Sequence, residues 1–102
     1  MSGYSNAGER HGQLLQELVE ERFAALTRIA MTLEGQIAQL RRLRDSLHAL
    51  DDLARQRALG AYRELRDRAL RQRWYLDVQR EVVGLRPHEL VERFYEVPGP
   101  IE

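Results

Sequence analysis

The stretch His48-Ala49-Leu50-Asp51-Asp52-Leu53-Ala54 divides the 102-residue chain. Aspartate just ahead of an apolar run is a preferred helix N-cap, because its carboxylate accepts from free backbone N–H groups and answers the positive end of the helix dipole. The stretch predicts that one helix ends near Ala49 or Leu50 and that another starts at Asp52. The sequence on both sides agrees. Upstream, Leu15, Val19, Phe23, Leu26, Ala30, Leu33, Ile37, Leu40, Leu43, Leu47 and Leu50 recur at steps of three and four. That spacing lines one face of a helix and does not match the two-residue period of a strand. Downstream, Ala54, Ala58, Ala61 or Tyr62, Leu65, Ala69, Gln72, Leu76, Gln79 and Val83 repeat the pattern, and Leu59, Leu70, Trp74, Val78 and Val82 add a second apolar edge.

Working outward, no proline occurs before Pro87, so nothing forces a break in either helix. Gly84 is a natural helix stop, since glycine takes the left-handed conformation without strain. Pro87 suits a first helical position, and 87–95 is read as a short third helix burying Leu90, Val91 and Phe94. The last segment, 97–102, contains Pro98-Gly99-Pro100 and is expected as an extended tail. Residues 1–11 are small and polar and are read as a flexible lead-in, although Asn6 and Glu9 have capping-box spacing. The expected architecture is all-α and single-domain over 12–96: a long antiparallel hairpin of coiled-coil type, with helices at 13–49 and 52–83, the short helix and the tail. The alternative is a three-helix bundle with breaks at Gly35 and Gly60.

Little in the chain carries chemistry. Cysteine is absent, which excludes disulfides, thiolate metal sites and a cysteine nucleophile. His11, His48 and His88 stand apart from one another. His88 with Glu92 shares one spacing of the zinc-protease helix but lacks the second histidine, so His88 reads as a solvated first-turn residue. No glutamate is followed three residues later by histidine, as inward-facing di-iron ligands would require. No phosphate-loop or nucleophile-elbow pattern occurs, and Asp51-Asp52 reads as helix capping. No catalytic, cofactor-binding or metal residue is predicted, and the chain is expected not to be an enzyme. No run of about 18 apolar residues occurs, so no transmembrane segment is predicted. The N-terminus lacks the apolar core of a secretory signal, and a cytoplasmic location is expected.

All sixteen basic residues are arginine. Three arginines against five acids give −2 over 1–40; ten against five give +5 over 41–73; three against six give −3 over 74–102. A hairpin gathers Arg41, Arg42, Arg44, Arg55 and Arg57 at its tip, opposite an acidic open end. This basic patch supports an alternative reading, a binding module for nucleic acid or an anionic membrane. Two helices can hide only one stripe on each other, and an unpartnered apolar edge marks an interface. The expected interface residues are Leu59, Leu70, Trp74, Tyr75, Val78, Val82, Phe94 and Tyr95, with Phe94 folding back onto Trp74 or Val78. The leading functional expectation is a scaffold or adaptor subunit with a protein partner, as a homodimer or a hetero-complex.

Overall fold

In the computed structural model, which describes residues 3–86 and 88–102, the chain runs through α1 (Gly3–Ser46), a single 3-10 turn (Leu47–Ala49), α2 (Asp52–Val82) and α3 (Glu89–Phe94). The two long helices form a helical hairpin, and no strand occurs among the described residues. The hairpin is a rod 78 × 23 × 15 Å in extent. Both helices continue through Gly35 and Gly60, so the three-helix alternative does not apply.

The turn is held from both sides. Asp51 is the N-cap of α2, with Oδ1 accepting from the Ala54 backbone N–H at 2.8 Å. Arg55, one turn into α2, donates from Nε to the Leu47 carbonyl at 3.2 Å and from Nη2 to the Leu50 carbonyl at 3.3 Å. The Leu47 carbonyl also accepts from the Leu50 N–H at 3.2 Å, so one guanidinium ties both ends of the 3-10 turn to α2. At the far end Gly84 adopts φ 82°, and the Leu85 N–H returns to the Arg80 carbonyl at 2.9 Å. This left-handed stop is the one the sequence anticipates at Gly84.

The core is a seam between the helices. From α1 it takes Leu26, Ile29, Leu33, Ile37 and Leu40, and from α2 Tyr62, Leu65, Ala69 and Leu76. Gln72 occupies a stripe position between Ala69 and Leu76 and donates from Nε2 to the Ile29 carbonyl of α1 at 3.3 Å. An amide on a seam is tolerable only when it finds such a partner.

The C-terminal segment is a third layer. Val91 of α3 is buried, and Val97 and Pro98 are buried further along. The Tyr62 hydroxyl donates to the Gly99 carbonyl at 2.7 Å, and Arg66 Nε donates to the Pro98 carbonyl at 2.8 Å. The tail is extended, as its prolines require, and it lies back along the hairpin towards the tip. Tyr62 is fully covered, and a buried phenol needs an acceptor. The tail's carbonyl supplies it.

Two helix starts differ from those the sequence predicts. Helix α1 starts at Gly3 rather than at Gln13, so most of the expected lead-in lies within it, while Met1 and Ser2 lie outside the described residues. Once a helix is nucleated, each added residue costs little, and glycines at about 1 kcal/mol apiece do not stop it. The short helix starts at Glu89, and Pro87 lies outside the described residues. Of its three predicted core residues only Val91 is buried; Leu90 and Phe94 face outward. Six residues make under two turns, which is enough to point one side chain inward.

Tyr62→Phe removes the hydroxyl bond without changing the ring. The expected cost is about 1 kcal/mol, a fall in Tm of about 4 °C. Truncation after Tyr95 removes Val97 and Pro98 as well and is expected to cost more. Thermal melts of the two variants against the parent chain check the order.

Candidate interaction surface

The two long helices are not the same length. At 1.5 Å per residue, the 44 residues of α1 span roughly 66 Å and the 31 of α2 roughly 46 Å. The turn fixes one end of the pairing, so the whole difference appears at the other. The end of α2 meets α1 at Leu15–Phe23. There Leu15, Leu18, Val19, Arg22 and Phe23 form an open groove of about 470 Å³ with Val82 and Val83. Beyond it α1 continues without a neighbouring helix.

The overhang keeps the same apolar stripe that makes the seam. Leu26, Ile29 and Leu33 are buried because α2 covers them. Leu15, Leu18, Val19 and Phe23 continue that face towards the N-terminus and are 43–51% exposed. Leu14 beside them is 53% exposed. Five large side chains on one helical segment amount to a patch of the size that marks an interaction site. Glu17, Glu20 and Glu21 occupy the other side of the same helix.

The predicted interface residues separate into two groups. Leu59, Leu70, Val78 and Tyr95 are half-buried, and Leu70 and Tyr95 pack against the core. Trp74, Tyr75, Val82 and Phe94 are exposed, Trp74 at 67% and Phe94 at 69%. The expected return of Phe94 onto Trp74 or Val78 does not form a buried cluster; α3 turns Val91 inward instead. Trp74 and Tyr75 line a shallow depression with Gln36, Arg68, Arg71 and Gln72.

Leu14, Leu15, Leu18, Val19 and Phe23 are missing from the predicted surface. Leu15, Val19 and Phe23 belong to the expected α1 stripe and are assigned to a second helix of near-equal length, whereas Leu14 and Leu18 are not on that stripe. Counting back from Asp51 and forward to Gly84 would have found the mismatch.

The five tip arginines, Arg41, Arg42, Arg44, Arg55 and Arg57, are exposed and stand at the hairpin turn as predicted. They do not form a uniform cationic face. Arg55 is engaged by the two turn carbonyls, Arg44 lies 3.5 Å from Asp45, and Asp51 and Asp52 sit between them. No protein-family model, curated protein or solved structure matches the chain.

One polar cluster joins α3 to α2. His88 Nε2 is 2.8 Å from Glu81 Oε1, and His88 Nδ1 is 3.6 Å from Asp77 Oδ1. His88 is thus half-buried against α2, not the solvated residue the sequence suggests. The hydrogen bond from His88 holds the Glu81 carboxyl below its ordinary pKa, helped by Arg86 at 4.0 Å. On the other side of Val91, burial and then the Glu34 carboxylate at 3.5 Å push the Tyr95 phenol above its ordinary value.

The two shifts bound a pH window. Glu81 titrates lower in the folded chain than in the unfolded one, so its contribution is complete above about pH 4.5 and is lost on acidification. Tyr95 titrates higher when folded, so its contribution is complete below about pH 10 and is lost as pH rises through the folded value. Attachment of α3 is expected to weaken at both extremes. Methyl NMR of Val91 across the range reads this directly. Glu81→Gln is expected to flatten the acid limb and leave the alkaline limb unchanged.

Proposed function

We propose that this chain is a cytoplasmic, non-enzymatic adaptor or scaffold subunit that works by packing its helices against another protein. The observation that carries the reading is the overhang of α1, where a helix face continuous with the hairpin seam leaves Leu14, Leu15, Leu18, Val19 and Phe23 exposed. Covering those side chains with a partner helix removes apolar area from water, the main favourable term in association. An amphipathic helix laid against such a groove is a common mode of protein recognition. Trp74 and Phe94 offer further anchor side chains, of the type that dominates interface energetics. No helix among the described residues is long and apolar enough to cross a membrane.

Polyanion binding at the tip is the second reading, supported by the exposure of Arg41, Arg42 and Arg57. The interleaved Asp45, Asp51 and Asp52 weaken it, since a phosphate approaching there meets carboxylates.

A photo-crosslinking amino acid placed at Leu15, and separately at Arg57, discriminates the two in an extract of the source cells. Protein adducts at Leu15 with none at Arg57 are expected. Nucleic acid adducts at Arg57 with none at Leu15 overturn the adaptor reading and favour the polyanion one.

A further inference from the structure

His88 stands between two carboxylates of α2, and its two contacts are unequal. Nε2 is 2.8 Å from Glu81 Oε1, a short hydrogen bond, whereas Nδ1 is 3.6 Å from Asp77 Oδ1, too long for one. Yet Asp77 Oδ1 and His88 Nδ1 are both closed off from solvent, and neither has a hydrogen-bond partner among the described residues. A buried polar atom without a partner costs stability. Here two such atoms face each other.

The proton count of the ring decides whether they can pair. A neutral imidazole carries one N–H. With that proton on Nε2 the ring serves Glu81 and turns the Nδ1 lone pair towards the Asp77 carboxylate, so two acceptors oppose each other. With it on Nδ1 the ring serves Asp77, and a lone pair then faces Glu81 across the shorter contact. The imidazolium donates from both nitrogens, so one added proton gives both orphaned atoms a partner.

The other charges around the ring have different roles. Arg80, between the two carboxylates on α2, acts on the Tyr95 phenol, and Arg86 reaches the second oxygen of Glu81. Glu34 of α1 is engaged by the Tyr95 hydroxyl. Glu89, Glu92 and Arg93 of α3 are exposed.

The place of His88 gives the ring its leverage. Helix α3 has six residues and buries only Val91. A helix so short does not hold itself in water, so its order depends on what ties it to the hairpin. Beyond its C-terminal end the chain is tied by Tyr95, and by Tyr62 and Arg66 through the tail carbonyls. At its N-terminal end the tie is His88.

We propose that His88 is a pH-responsive latch on the C-terminal layer: the imidazolium bridges Asp77 and Glu81 and holds α3 against α2, and loss of the Nδ1 proton releases the Asp77 arm. The docked state favours the charged ring. Attachment is therefore complete below about pH 6.5, where a free imidazole ordinarily titrates, and declines as pH rises through neutrality. This step falls between the acid limb of Glu81 and the alkaline limb of Tyr95.

Hydrogen exchange of the Tyr95 amide, which bonds the Val91 carbonyl at 2.9 Å, reports the order of α3. Corrected for intrinsic rates, its protection is expected to fall about tenfold between about pH 5.5 and about pH 8, the effect of one charge-assisted contact. The Leu65 amide in the seam is expected to show no such step. Asp77→Asn keeps the shape of the side chain and adds an N–H that donates to a bare Nδ1, so the neutral ring is satisfied. This variant is expected to lose the step and to be about tenfold better protected than the parent chain at about pH 8. His88→Gln is expected to be flat across the range. Equal protection of the parent chain at both pH values overturns the proposal. So does a step that persists in Asp77→Asn or in His88→Gln, and so does an equal step at Leu65, which marks unfolding of the whole hairpin.

Discussion

The structure depends on the difference in length between its two long helices. The turn at Leu47–Asp51 pins one end of the seam, and the left-handed Gly84 stops α2 while α1 still has residues to run. A coiled-coil seam buries apolar side chains only as far as both helices extend. The same stripe on α1 is therefore core along one part of its length and surface along the other. Leu26 and Leu33 are covered, and Leu15 and Val19 are not, although the sequence treats them as members of one repeat.

The C-terminal segment answers a second deficiency of a two-helix rod. A pair of helices has no inside, and α2 carries apolar residues on more than one edge. Helix α3 and the tail add a partial third layer over one side, bringing Val91, Val97 and Pro98 into contact with the seam. The layer is attached by directional bonds as well as by apolar contact. His88 reaches Glu81, Tyr95 reaches Glu34, and Tyr62 and Arg66 donate to tail carbonyls. Because the segment runs towards the tip, it leaves the overhang uncovered. The tail completes the core near the turn, and Leu15, Leu18, Val19 and Phe23 at the other end of the seam stay exposed.

Charge follows the same geometry. Reading the chain linearly gives acidic, basic and acidic blocks, and folding brings the basic block to the tip. At the level of side chains the block is less uniform than its net value suggests. Arg55 serves the turn, Arg66 serves the tail, and aspartates stand among the tip arginines. Arginine's planar fork presents several N–H donors at once, and Arg55 and Arg66 use it to hold backbone carbonyls.

The sequence by itself determined the hairpin, its cap at Asp51, its stop at Gly84 and most of the seam residues, Ile29 excepted. These are local properties: the spacing of apolar side chains, the hydrogen-bonding habit of aspartate and the freedom of glycine act within a few residues. Tertiary structure alone decided which apolar residues are dry. Leu15 and Leu33 have equivalent positions in the repeat, and only the reach of α2 separates them. Likewise nothing local to Val97 or Gly99 marks them as partners of Tyr62, since that contact joins residues 37 apart and exists only when the hairpin offers a groove to lie in. Burial belongs to the assembled shape, and a one-dimensional pattern specifies the face of a helix without specifying what stands opposite it.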